Sequence, residues 1–240
     1  MSDVAEPEVP SPEQGGPVDD SQQVSPDLLR AWPLPQPNGT KDARGLVLVV
    51  GGSATTPGAA MLAGISALRV GAGRLTLAVA GSVAPHVAVA VPESGVIPLP
   101  ENKSGCVVGG GAGERLPGEL DRVDAVLVGP GLSDPEGSLQ LLTEIAPLIP
   151  RETPVVLDAF GLTVLPDADD DTRAALAGRL VVTPNRGELA RLLGQDEVED
   201  VRAGVVEASR RFDAVVGVGS FVASGGRVWE LPVGDTGLGT

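Results

Sequence analysis

The residues here that could do chemistry are glycines and small hydroxyls rather than paired carboxylates, histidines or cysteines. Each of several short apolar runs is followed by such a loop. "GGSATTPGAA" follows "LVLVV" (46–50), "GPGLSD" follows "DAVLV" (124–128), "TPNRGE" follows the run at 179–182, and "GVGS" follows the run at 213–216. "GDTGLGT" ends the 240 residues, and Asp158 closes the run "VVLD" (155–158). Backbone comes close to a ligand where side chains are absent, and a loop that opens a helix presents N–H groups to phosphate. A carboxylate at the end of a buried strand needs a partner or a bound cation, which singles out Asp158.

Several of these features also have a purely structural reading. "GGSATTPG" suits a β–α turn with a capped helix, and "GPGL" suits a tight turn. "NRGE" is a capping box, with Asn185 at N-cap and Glu188 at N3; Leu189, Leu192 and Leu193 then form a core stripe and Gly194 the stop. "GVGSFV" and "GGGAGE" (109–114) lack the last glycine of G-x-G-x-x-G, so no dinucleotide fingerprint is inferred. His86, the only histidine, sits in a Val/Ala-rich helix-like run and reads as structural. The single cysteine, Cys106, allows no intrachain disulfide, and no Cys/His cluster has metal-ligand spacing.

The elements that position these loops alternate. Runs apolar at every position suit strands buried on both faces of a parallel sheet. Between them lie helical stretches. The first is "PGAAMLAGISALRVGAG", with Met61, Ile65 and Leu68 on one face, Thr56 as N-cap, Pro57 opening the helix and Gly71 or Gly73 ending it. Residues 139–149 and 201–212 are two more. Strand and helix in alternation predict a three-layer α/β fold, with ligands bound beyond the carboxyl ends of the strands.

Residues 1–24 read differently. Six acidic residues, no basic ones and repeated prolines predict a disordered acidic tail whose removal leaves folding unchanged. "PDLLRAW" (26–32) is expected as a short helix lying on the domain that occupies 25–240. The net charge of −15 argues against phosphodiester-backbone binding as the main business. No apolar run approaches a membrane span and no signal peptide is legible, so a cytoplasmic protein that touches neither nucleic acid nor membrane is expected.

"GLVLVVGGSATTPGAAMLAGISALRVGAGRLTLAV", "DAVLVGPGL", "VVLDAFGL", "VVTPNRGELARLLG" and "GRVWELPVGDTGLGT", in this order, resemble the ADP-dependent NAD(P)H-hydrate dehydratases over about Lys41 to Thr240. The resemblance implies a ribokinase-like domain with a central, mostly parallel sheet. It implies repair of the S-form of hydrated NADH or NADPH: the hydroxyl is phosphorylated from ADP, AMP is released, phosphate leaves and the double bond returns. Mg²⁺ would accompany the nucleotide. The partners implied are the hydrated dinucleotide, ADP and AMP, an NAD(P)H-hydrate epimerase, and further copies of the chain in a homotetramer or other homo-oligomer.

Carried over by position, the resemblance implies substrate contacts at Ala59, Gly131 and Asn185, and nucleotide contacts at Val218, Gly219, Ser220, Gly239 and Thr240, with Asp158 as a supporting acid. Three positions depart from the family pattern. Asn185 replaces a histidine, Val218 stands where a lysine meets phosphate, and Phe160 replaces a second acid in "LDADAL". In the family "GLGT" runs directly into a Gly-Ser-Gly-Asp or Gly-Thr-Gly-Asp turn that carries the catalytic aspartate, which places that residue after Thr240. The resemblance thus implies that residues 1–240 lack the catalytic turn and the C-terminal helices, and turn over near background. Two other readings stay open: a non-catalytic nucleotide-binding or assembly subunit of the same fold, and a small-alcohol kinase of the ribokinase-like superfamily.

Overall fold

The computed structural model describes residues 21–32 and 39–232. Its strands are β1 (Ser21–Gln23), β2 (Leu46–Val50), β3 (Arg74–Ala80), β4 (Ser94–Leu99), β5 (Ala125–Val128), β6 (Val155–Leu157), β7 (Leu180–Val182), β8 (Ala214–Val218), β9 (Phe221–Ser224) and β10 (Arg227–Glu230). The helices are α1 (Pro26–Ala31), α2 (Pro57–Val70), α3 (Ala84–Ala90), α4 (Ala112–Arg115), α5 (Pro117–Leu120), α6 (Pro135–Ile145), α7 (Ala159–Thr163), α8 (Asp170–Leu176), α9 (Arg186–Leu193) and α10 (Val201–Arg211). Among the described residues no helix is long and apolar enough to cross a membrane.

One sheet holds every strand, in the order β1-β10-β9-β8-β7-β6-β5-β2-β3-β4. The stretch from β8 to β4 is parallel throughout. The chain enters this stretch at β2, winds outward through β3 and β4, returns to the other side of β2 as β5, and winds outward again through β6, β7 and β8. The order therefore reverses between β2 and β5, and this switch point is where an open α/β sheet forms its ligand crevice.

The apolar runs expected as strands are strands, each within a residue or two of its expected bounds. β3 and β4 were not singled out as strands; Leu75 to Ala80 are buried and carry the same signal. The β8–β9–β10 meander was also not anticipated. Its second turn is Gly225–Gly226, both at positive φ, the pair that a two-residue hairpin favours.

The sheet's two faces are covered unequally. Leu48, Val50, Val126, Val128, Leu157, Val182 and Val216 belong to the larger core, which is filled from the helices by residues such as Ala112, Leu141, Leu162, Leu189 and Val205. On the other face Val49, Leu75, Leu77 and Val79 pack under α2 and α3 with Ala60 and Val87. Register carries that second face from Val49 to Leu127, Val156, Val181 and Val215. These last four are only half-buried, with no described helix over them. Among the described residues the three expected layers are complete over β2–β4 and reduced to two over β5–β8.

Two expectations for the N-terminal region need correction. The tail expected to be disordered through residue 24 lies outside the described residues up to 20. Beyond that, β1 pairs in parallel with β10, and the Val24 N–H donates to the Glu230 carbonyl at 2.8 Å. A sheet edge recruits backbone, which composition does not report. Helix α1 forms, capped by the Ser25 hydroxyl, which accepts from Leu28 N–H at 3.1 Å. It buries no residue, however, and leaves Trp32 78% exposed.

β7 is fastened at its start by Arg179, whose guanidinium donates to the carbonyls of Ile149, Pro150 and Thr153. Burial lowers its pKa from the ordinary guanidinium range.

Gly129 follows β5 at φ 129°, and a Cβ there would collide with the Asp158 carbonyl. Gly129→Ala should cost at least about 1–3 kcal/mol from overpacking, with strain at positive φ added. At about 2–4 °C per kcal/mol for a domain of this size, thermal melting would show it clearly. Gly58→Ala, where a Cβ meets nothing within 4 Å, should leave the melt unchanged or raise it.

Candidate functional site

At the switch point the loops after β2 and β5 are joined to each other. The Gly52 N–H donates to the Pro130 carbonyl and the Ser53 N–H to the Gly131 carbonyl, each at 2.8 Å. The Thr56 hydroxyl donates to the same Gly131 carbonyl at 2.8 Å. Thr56 occupies the N-cap position of α2, but its side chain makes no cap; it ties the two loops instead. A Cβ on Gly51 would collide with the Pro130 carbonyl, and one on Gly131 with the Thr56 carbonyl. These glycines are therefore required by loop-to-loop contact, a constraint the sequence did not distinguish from approach to a ligand. A third segment supports them: the Ala54 N–H donates to the Gly105 carbonyl at 2.8 Å, and the Val107 N–H to the buried Ser53 hydroxyl at 3.4 Å.

Ala59 lies just past this junction, exposed in the first turn of α2. Gly131 commits its carbonyl to Ser53 and Thr56. Among the described residues no acceptor meets its N–H.

Asp158 stands where β6 ends and α7 begins. Its N–H donates to the Val128 carbonyl at 3.1 Å, and its carboxylate accepts from the Thr183 hydroxyl at 3.5 Å. The next residue, Ala159, has φ 47°, a conformation that costs an ordinary residue about 1–3 kcal/mol. Such strain often accompanies residues held in place for function. Thr183 was not singled out from sequence; a hydroxyl one strand over from Asp158 becomes its partner only through the β6–β7 pairing.

The ends of β7 and β8 enclose a cavity of about 440 Å³. Thr183, Pro184, Asn185, Arg186, Val201 and residues 217–221 line it. It brings Asn185 together with Val218, Gly219 and Ser220, three of the five positions marked for the nucleotide; Gly239 and Thr240 lie outside the described residues. Ala59 and Gly131 are not part of this cavity. They sit along the same sheet edge, and two strand spacings, roughly 10 Å, separate the end of β5 from the end of β7. Two larger concavities, of about 520 and 710 Å³, lie elsewhere. The first is at the amino ends of β2, β3 and β5, the wrong edge for a parallel sheet to bind ligand. The second is an open surface along α10.

Within the cavity each marked residue offers something narrower than its side chain alone suggests. The Asn185 carboxamide oxygen accepts from the Glu188 N–H at 3.0 Å while Glu188 accepts from the Asn185 N–H at 2.8 Å, the expected capping box. This fixes the oxygen inward and leaves the amide NH₂ as the group available to a ligand. Val218 is buried at 5% exposure, so its side chain belongs to the core and only its backbone borders the cavity. Gly219 and Ser220 form the two-residue turn between β8 and β9, with Gly219 at φ 55°.

Features set aside from the sequence lie apart from this edge. "GGGAGE" leads into α4, where the N–H groups of Gly111 and Gly113 both donate to the Glu144 carboxylate, at 3.0 and 3.1 Å. That anion-accepting loop is filled from within. His86 is exposed on α3, away from every strand end named above.

The chain was compared with known proteins. A family model described as NAD(P)H-hydrate dehydratase matches residues 47–238. The ADP-dependent (S)-NAD(P)H-hydrate dehydratase of Xanthomonas campestris is 40% identical over 224 residues, covering 90% of this chain and 74% of that protein. The bifunctional NAD(P)H-hydrate repair enzyme Nnr of Moorella thermoacetica is 35% identical over 227 residues, covering 89% of this chain but only 42% of its own length. Among solved structures, the ADP/ATP-dependent NAD(P)H-hydrate dehydratase of Bacillus subtilis, co-crystallised with ATP/Mg²⁺ and soaked with CoA, superposes with a TM-score of 0.66 at 24% identity. That match covers 92% of this chain and 76% of the other. A ribokinase-like superfamily protein of Enterococcus faecalis superposes with a TM-score of 0.70 at 17% identity, covering 95% and 77% of the two chains. These two structural matches speak for the ribokinase-like fold.

The two duties of Asn185 can be separated by substitution. Asn185→Ser keeps an oxygen that caps α9 and removes the amide donor; Asn185→Ala removes both. Serine should leave the melting temperature near that of the parent, whereas alanine should cost about 1 kcal/mol. Both should weaken the binding of a nucleotide ligand, read by calorimetry. Full affinity in the serine variant would restrict Asn185 to its cap.

Proposed function

The chain belongs to the NAD(P)H-hydrate dehydratase family, and on that premise we propose that it restores NADH and NADPH from their S-form hydrates at the expense of ADP. The observation that carries this reading is the alignment of Ala59, Gly131, Asp158, Asn185 and the β8–β9 turn along one sheet edge, at and beside the switch point. An edge of this kind accommodates two ligands side by side. The hydrated dinucleotide would lie near Ala59 and Gly131 and reach Asn185. The nucleotide would lie against the Gly219–Ser220 turn.

The chemistry is activation of a leaving group. Hydroxide leaves carbon poorly. Transfer of the terminal phosphoryl group of ADP to the hydroxyl of the hydrate gives AMP and a phosphate ester. The ring-nitrogen lone pair then expels phosphate, and loss of a neighbouring carbon-bound proton restores the double bond. The groups from this chain would position rather than react. The Gly131 N–H and the Asn185 amide hold polar atoms of the dinucleotide, and small side chains at Gly58 and Ala59 leave room for it.

Mg²⁺, when bound, would neutralise charge on the transferring phosphoryl group. Among the described residues no group of three or more His, Cys, Asp or Glu side chains is arranged to hold a metal. Asp158 is a carboxylate on this edge, and one carboxylate plus phosphate oxygens is a usual Mg²⁺ environment. These residues suit an ion that arrives with the nucleotide.

A second activity that interconverts the two hydrate epimers fits the same reading. The chain spans only 42% and 38% of two relatives named as bifunctional repair enzymes, which leaves ample length in them for another domain.

The reading is tested by supplying S-form NADH hydrate, ADP and Mg²⁺ to the protein and following the absorbance of reduced nicotinamide, with binding of each ligand measured in parallel. Saturable binding of both ligands is the expected result, and a robust ADP-dependent rise in absorbance would place the catalytic base within residues 1–240, against what the resemblance implies. Absence of binding by either would overturn it. Ala59→Leu should abolish hydrate binding while leaving ADP binding and the melting temperature nearly unchanged, since Ala59 is exposed in the free protein. Unchanged hydrate affinity would move the substrate site elsewhere.

A further inference from the structure

We propose that Arg186 is the residue of this chain that meets a phosphoryl group of the nucleotide seated in the cavity between β7 and β8. The proposal rests on the nucleotide site proposed above. Of the described residues that line the cavity, Arg186 is the one cation, and none is acidic. That composition is unusual here, because the chain has 32 acidic residues against 17 lysines and arginines. A cavity whose described lining holds no carboxylate, in a protein of net charge −15, is a place where an anion meets little repulsion.

Among the described residues the Arg186 guanidinium makes no hydrogen bond and no ion pair. The carboxylate closest along the helix, Glu188, is turned back to the Asn185 N–H at 2.8 Å in the capping box. Asp158 faces the Thr183 hydroxyl. Arginine binds phosphate oxygens through a planar fork of N–H donors and stays charged at any working pH.

The other walls suit the same ligand. Gly217 and Gly219 leave open space where a Cβ would stand, so backbone borders the cavity directly. Ser220 adds a hydroxyl and Asn185 an amide donor. Arg186 is the first residue of α9, where the helix dipole favours a negative group. A cavity volume of about 440 Å³ lies within the range of small-ligand sites. The phosphoryl group could belong to ADP or to the pyrophosphate of the dinucleotide, since the chemistry is the same.

Calorimetry of the chain and of Arg186→Gln and Arg186→Lys, with ADP, adenosine and S-form NADH hydrate each in turn, decides the matter. A lost charge-assisted contact should weaken the phosphate-bearing ligand by about tenfold to a hundredfold in the glutamine variant. Lysine should recover part of that loss, adenosine should be unaffected, and the melting temperature should stay put because the side chain is exposed. A loss confined to ADP assigns the contact to the mononucleotide, and one confined to the hydrate assigns it to the dinucleotide. If the parent chain binds both ligands and Arg186→Gln binds each within twofold of the parent, the role of Arg186 is wrong while the site stands. If the parent chain binds neither, the site falls and this role falls with it.

Discussion

The carbonyl of Gly131 holds the candidate site together. It accepts from the Ser53 N–H and from the Thr56 hydroxyl, and so joins the loop after β2 to the loop after β5. These loops leave neighbouring parallel strands whose connections depart in opposite directions. Without the contact they would splay where the sheet order reverses. On the ligand side it ties the start of α2, through Thr56, to the loop after β5. The constraint also explains the glycines, since side chains at 51 or 131 would drive the loops apart.

A second constraint governs the far end of the edge. A capping box, a core valine and a two-residue turn meet there, and each has a structural duty that limits what it offers a ligand. Asn185 spends its oxygen on α9, Val218 spends its side chain on the core, and Gly219 spends its conformation on the turn. What remains for recognition is backbone N–H, an amide NH₂, a serine hydroxyl and one arginine. Among the described residues the set is rich in donors and free of carboxylates. In a chain with so large an acidic excess, the anion selection proposed for this site would come as much from the lack of acids in its described lining as from where the base is placed.

The unequal covering of the sheet bears on stability rather than on this chemistry. The loops at the carboxyl ends are anchored from the well-packed face, where α6, α7, α9 and α10 fill the core. The half-buried row Leu127, Val156, Val181 and Val215 lies on the opposite face. A parallel sheet is ordinarily covered on both sides, whereas this row is only half-buried among the described residues.

By itself the sequence determined the fold class, the strands that end at the candidate site, the capping box at Asn185 and the glycine stops at Gly71 and Gly194. It could do so because each is a local signal: a buried run of β-branched residues, an Asn three before a Glu, a glycine where φ turns positive. It placed Thr56 at its N-cap without the tie to Gly131, misjudged the tail at 21–24 and the packing of α1, and passed over Thr183 and Arg186. Only the tertiary structure decided those, and for one reason. Thr56 meets Gly131, β1 meets β10, and Thr183 meets Asp158 across pairings that no local pattern encodes, while the setting of Arg186 depends on β8 lying beside β7. A hydrogen bond between residues far apart in the chain exists only once the sheet has set the order of its strands.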